Sequence, residues 1–271
     1  MLSVISHLPS ALRKYAAITR INLQSNFAYL GEFAYRSIFM VLILYVFVQL
    51  WTTTYSATGS TTIAGFALRD TIWYLVMSET IMLSRMRVAT KIAEEVRDGS
   101  LAYTVGRPYS YLLYQFFHSF GDTLLRLLIN FIAGSILVTA LIGPLPISNL
   151  PAIIISVLLA LVLDFCIIGM IGLLAFFTED VNSFEIIYQK ILFILGGMII
   201  PLDFLPAWLR DISLALPFNT IIYAPSRLFV QFDTARWLNT IALQVIWIGI
   251  MAVALSLLFR WGMRRVSING G

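Results

Sequence analysis

The sequence predicts an all-α polytopic membrane protein with six transmembrane helices, an N-terminal amphipathic interfacial helix and both termini in the cytoplasm. Three observations carry that prediction. The 271 residues are 59% hydrophobic and only 12% charged, whereas soluble domains are about 45–50% apolar and about 25% charged. So few charges cannot cover a water-facing surface of this size, which makes lipid the main solvent. Six apolar segments have lengths near the roughly 20 residues that a spanning helix needs. Finally, lysines and arginines fall mostly on one side of these segments, as the positive-inside rule requires of cytoplasmic loops.

The elements follow in chain order. Residues 10–28 put Leu12, Tyr15, Ala16, Thr19 and Leu23 on one helical face and Arg13 and Arg20 on another. That is the pattern of a helix lying in the membrane interface, on a chain start that reads as retained rather than cleaved. Spans are predicted at about 33–51, 70–88, 112–142, 151–177, 184–201 and 238–259. Asp70 is placed to cap the second. Pro151 stands at the start of the fourth, where its missing N–H costs nothing. Residues 201–235 stay apolar, but Pro201, Pro206, Pro217 and Pro225 divide them into pieces too short to cross a bilayer. Short re-entrant or capping helices at the outer face are expected there. On this topology twelve Lys and Arg lie inside, and three, Arg210, Arg227 and Arg236, lie outside. Gly169 with Gly172, Gly196 with Gly197, and Gly134 with Ser135 would allow close helix contact. All of this forms one transmembrane domain over residues 1–271.

Several function classes drop out. The net charge of +4 comes without a basic run or an aromatic–basic motif, so no nucleic-acid partner is expected. Cys166 is the single cysteine, and His7 and His118 have no ligand-spaced partners, so neither a disulfide nor a metal site is expected. A phosphate-binding loop needs Gly-Lys-Ser/Thr, but Lys14, Lys91 and Lys190 stand in RKY, TKI and QKI. With no HExxH and no GxSxG either, the chain does not read as an enzyme. Any work it does draws on another subunit.

The charge that remains is concentrated in the connector at about 85–111, between the second and third spans. From Arg85 to Asp98 the pattern is helical, an extension of the second span. Ala89, Ile92, Ala93 and Val96 form an apolar face, while Arg87, Lys91, Glu94, Glu95 and Asp98 lie on the polar side. Lys91 and Glu95 are spaced to pair at i, i+4. Gly99 is a suitable stop for that helix, and Arg107 and Pro108 turn the chain back into the membrane. A merely solvated loop would explain the charge, but not a two-faced helix.

Ionisable groups within the spans each call for an explanation, because bare charge at mid-membrane costs a few kcal/mol or more. Glu32 and Arg36 form an i, i+4 pair at the inner end of the first span, and Arg69 and Asp70 lie at the outer edge. Glu79 falls halfway along the second span, Asp164 halfway along the fourth, and Asp122 with Arg126 in the third. Arg126 reads as the cation near enough in depth to neutralise Glu79 or Asp164. Two readings stay open: an ion network that fixes helix packing, or a polar patch lining a substrate path.

Two loop motifs carry a resemblance. "EEVRDGSLAYTVGRPYSYLLYQF" matches at Val96, Gly99, Leu101, Arg107, Pro108 and Tyr111, with Val105 where Leu is the rule. "GGMIIPLDFLPAWLRDISLALPF" matches at Gly197, Pro201, Pro206, Trp208, Pro217 and Phe218. With the terminal "RRVSINGG", the chain resembles the bacterial type-2 ABC exporter permeases over essentially its whole length. The resemblance implies a transmembrane subunit that pairs with a second permease, identical or similar, and with two ABC ATPase subunits. ATP and Mg would be bound by those ATPases, and no cofactor by this chain. It further implies an ATPase-coupling element at Lys91, Glu94, Glu95, Arg97, Asp98, Gly99, Arg107 and Pro108. The setting would be the bacterial plasma membrane, with lipid as solvent. A membrane scaffold or sensor regulated by an ATPase is the alternative, followed by a proton-coupled transporter using Glu79 and Asp164, which no inverted repeat supports.

Overall fold

The computed structural model describes residues 10–27, 30–107, 109–146 and 149–269. In chain order these residues form α1 (Ser10–Phe27), α2 (Leu30–Thr58), a hairpin of β1 (Thr62–Ile63) and β2 (Phe66–Ala67), and α3 (Leu68–Leu83). There follow α4 (Val88–Arg97), α5 (Leu101–Val105), α6 (Tyr111–Leu141), α7 (Leu150–Leu173) and α8 (Asn182–Ile194). Last come α9 (Ala207–Ala215), α10 (Tyr223–Val230) and α11 (Thr234–Asn269). Short 3-10 turns join several of them. The architecture is nearly all helical, with one antiparallel hairpin in which Thr62 faces Ala67 and Ile63 faces Phe66. Its turn, Ala64 and Gly65, has positive φ at both positions, the geometry that suits a two-residue hairpin.

Among the described residues four helices are long and apolar enough to cross a membrane, over Ser37–Thr58, Tyr111–Leu141, Leu150–Phe176 and Thr234–Arg264. They correspond to the first, third, fourth and sixth predicted spans. The other two are shorter than predicted. Helix α3 has 16 residues and stops at Leu83, not at 88, a length of about 24 Å against a hydrocarbon core of about 30 Å. Helix α8 has 13 residues and stops at Ile194, not at 201. It ends in a turn at Gly196–Gly197 whose second glycine has φ +71. Asp70 does not cap α3 either: Ala67 is the cap residue, and the Asp70 carboxylate accepts a 3.2 Å hydrogen bond from the Gln231 side chain.

Burial explains how α3 can be so short. Thr71 to Ile81 are buried without interruption, because α2, α6 and α10 pack around it. Protein, rather than lipid, covers every face. The turn after α8 is fastened to the same helix: Tyr74 donates its hydroxyl to the Gly197 carbonyl, and Ser78 donates to the Met198 carbonyl at 3.0 Å.

The proline-rich segment breaks into α9, α10 and 3-10 turns at Leu202–Phe204 and Pro217–Thr220, as its sequence predicts. Asp203 gathers it by accepting from Arg227 at 2.5 Å and from the Tyr223 hydroxyl at 2.8 Å. Gln244 of α11 donates to the Thr220 and Ser156 carbonyls, both at 2.9 Å, and so fixes this segment to α7 and α11. At the start of the chain, the predicted face of α1 meets α6: the Tyr15 ring stacks on Phe117 at 5.1 Å, and Thr19 donates to the Phe117 carbonyl at 2.8 Å. Arg13, Lys14 and Arg20 are left exposed. The Leu12 side chain and the Glu32 and Arg36 side chains lie outside the described residues.

Candidate functional site

The charged connector is a helix of its own, not an extension of α3. The chain leaves helical geometry between Ser84 and Arg87, and α4 starts with Arg87 at φ −98, ψ 58. The predicted apolar face is correct: Ala89, Ile92 and Ala93 are buried, and Val96 is partly so. It seats on α7 at Gly172, where an added Cβ would stand 2.9 Å from the Ala89 Cα and 3.1 Å from the Ala89 carbonyl oxygen. Asp98 ends the helix, and Gly99 follows in the left-handed conformation at φ +76, as predicted for a helix stop.

The polar side divides into an inner and an outer set. Lys91 and Glu95 do not pair as their spacing predicted. Glu95 accepts from the Tyr111 hydroxyl at 2.8 Å and from the Gln115 amide at 2.9 and 2.8 Å, while Lys91 lies 3.3 Å from His118 Nδ1. Partners on a facing helix win over an i, i+4 contact worth only a few tenths of a kcal/mol. Partial burial pulls the Lys91 ammonium below its ordinary pKa, with the Glu95 carboxylate opposing that shift. Arg97 donates to the Glu179 carbonyl in the turn after α7. The outer set is Glu94, Asp98 and Gly99, all exposed. Hydrogen bonds from Ser100 hold the Asp98 carboxyl below the usual carboxylate range. Arg107 is exposed beside the Tyr109 hydroxyl at 3.1 Å, and Pro108 lies outside the described residues. Tyr15 of α1 completes the contacts, its hydroxyl accepting from the Ser110 N–H at 3.1 Å.

Among the described residues, no ion pair joins Glu79, Asp122, Arg126 and Asp164 into one network. Arg126 pairs with Asp122 on its own helix at 2.7 Å. Asp164 is neutralised by Arg85, not by Arg126, through a 2.8 Å ion pair from Nε. The same Asp164 oxygen accepts from the Tyr188 hydroxyl at 2.8 Å, and the Arg85 guanidinium lies over the Tyr188 ring at 4.6 Å. The break after α3 is what frees Arg85 to turn inward, and it joins α7 and α8 at the base of α4.

Glu79 lies elsewhere. It is 2% exposed and has no ion-pair or hydrogen-bond partner among the described residues. It lines a cavity of about 470 Å³ with three walls. Phe39, Ile43 and Phe47 of α2 form the first, spaced by four on one face. Glu79 and Met82 of α3 belong to the second, and Gln189 and Phe193 of α8 to the third. Arg85, Arg87 and Glu185 also line it, as does Met198, whose carbonyl accepts from Ser78.

A family model described as ABC-2 family transporter protein matches residues 25–270. The chain belongs to the ABC-2 transporter family. No individual curated protein matches it. As an ABC-2 transporter it is a membrane transport component of the permease kind, and it belongs to a family whose members work with ATPase partners. In this ABC-2 chain Lys91, Glu94, Glu95, Arg97, Asp98 and Gly99 lie on one short helix and its stop, with Arg107 beyond α5, while the acids expected in an ion network fall at three separate places. Sequence reasoning missed Arg85, Tyr188, Gln115 and the seat at Gly172. Of these only Gly172 left a signal, as half of the Gly169–Gly172 pair. Gly169 proves to face Leu255 of α11 instead, with its nearest side-chain atom 3.3 Å from an added Cβ.

Proposed function

We propose that the protein is the permease subunit of an ATP-driven exporter in a bacterial plasma membrane. Two permeases, identical or similar, form the path, and two separate ABC ATPases bind ATP and Mg. The single observation that carries this reading is the construction of α4. Its apolar face is bolted to α7 at Gly172, its inner polar groups hold α6, and its Glu94–Asp98–Gly99 end is left exposed. A docked ATPase that moved this end would move α6 and α7 with it.

In this reading the chain crosses six times, with α3 and α8 counted together with the segments that follow them, and both termini and α4 face the cytoplasm. The twelve-to-three distribution of Lys and Arg supports that orientation. The cavity walled by α2, α3 and α8, with Glu79 on its side, is the substrate site of this reading. Copurification with candidate ABC ATPases, followed by hydrolysis assays on the reconstituted complex, tests it. A functional ATPase partner is expected to bind and to change its hydrolysis rate. Glu94→Lys with Asp98→Lys is expected to weaken that binding while leaving the folded permease intact. An ATPase that binds the doubly reversed chain unchanged overturns the assignment of α4 as the docking element.

A further inference from the structure

The cavity beside Glu79 has a chemistry narrower than transport in general requires. Three other acids are answered by bases: Asp164 by Arg85, Asp122 by Arg126 and Asp203 by Arg227. Glu79 is buried to 2% exposure and has no such answer among the described residues. A carboxylate in apolar surroundings without a counter-charge is strongly disfavoured. Its place on a cavity wall, rather than inside packed helix contacts, leaves room for that counter-charge to arrive with a ligand.

The other walls suit an apolar cation. Phe39, Phe47 and Phe193 line it with aromatic rings, whose quadrupoles attract positive charge, and the Lys190 ammonium already lies over the Phe193 ring at 5.0 Å. Met82 and Met198 supply polarizable side chains that adapt to irregular shapes. The two arginines that reach the cavity do not reverse its sign. Arg85 is spent on Asp164 at 2.8 Å, and the lining carries the carboxylate of Glu185 as well as the guanidinium of Arg87, so their formal charges cancel. A volume of about 470 Å³ falls within the range of small-molecule sites.

We infer that this cavity selects lipophilic monocations, a single positive charge carried on a ring-bearing apolar body, with Glu79 as the counter-ion. The inference rests on the cavity being the substrate site proposed above. Tetraphenylphosphonium and tetraphenylborate test it, because they share a shape and differ in the sign of their charge. Binding of each to the full chain in lipid nanodiscs is measured by calorimetry, with empty nanodiscs as the reference. The phosphonium is expected to bind saturably and about tenfold or more tighter than the borate. Glu79→Gln is expected to erase that preference, Glu79→Asp to keep most of it, and Phe193→Ala to weaken both ions. Equal affinity for the two ions, with both weakened by Phe193→Ala, would overturn the charge selectivity while leaving the cavity as a binding site. If neither ion binds saturably, or Phe193→Ala changes neither, the cavity reading itself falls. The comparison of the two ions on the unaltered chain decides the matter even if Glu79→Gln does not fold.

Discussion

At Gly172 a single hydrogen atom is all that stands between α7 and the backbone of α4. An added methyl group would meet the Ala89 Cα at 2.9 Å, a rigid neighbour, whereas at Gly169 it would meet the flexible Leu255 side chain at 3.3 Å. Gly172→Ala is therefore expected to lower stability by about 1–3 kcal/mol, the usual cost of overpacking, and Gly169→Ala by less. Thermal unfolding of the two variants in detergent checks the order. The Arg85–Asp164 pair has a different signature. Arg85→Met or Asp164→Leu alone leaves a charge buried without its partner, at a cost of about 3–5 kcal/mol. The double variant removes both charges and is expected to unfold at a higher temperature than either single one. If the double change is instead as damaging as the sum of the singles, the pair is not what holds α7 to α8.

At the scale of elements, the connector helix depends on how its end is made. Gly99 has φ +76 and open space around its Cα, so Gly99→Ala strains the backbone without any clash, by about 1–2 kcal/mol. A cost that small leaves the fold standing. The expected outcome is a folded permease whose melting temperature falls by a few degrees and whose effect on the partner ATPase is reduced, read from hydrolysis rates with and without permease. Much of this element is legible in the amino-acid sequence: the buried stripe of Ala89, Ile92 and Ala93 repeats with the helix, and glycine suits a left-handed stop. Its polar partners are not. Glu95 bonds to Tyr111 and Gln115 across a turn of the chain, and Arg85 reaches Asp164 across 79 positions. Spacing along one helix says nothing of contacts made between helices. The early ends of α3 and α8 escape for a related reason: hydropathy marks where a segment tolerates lipid, whereas these ends are set by contacts with other parts of the fold.

For the whole molecule, the orientation in the membrane is the property to test, and the lone cysteine makes that direct. Cys166 is buried at 4% exposure, so labels on new cysteines stand out against it. In intact cells a membrane-impermeant thiol reagent is expected to label Ser60→Cys, in the turn before β1, and to spare Ser100→Cys beyond Gly99 until the membrane is opened. Labelling of Ser100→Cys in sealed cells would invert the topology. The burial of α3 has a consequence for how the chain is made. Sixteen residues containing Asp70 and Glu79 have little tendency to leave an insertion machine for open lipid, whereas α2 and α6, on either side in the sequence, have every tendency to do so. During synthesis α3 is therefore expected to be retained until α6 emerges, so that the pair enters together. The order of biogenesis is thus written into which helix lacks a face of its own for the bilayer.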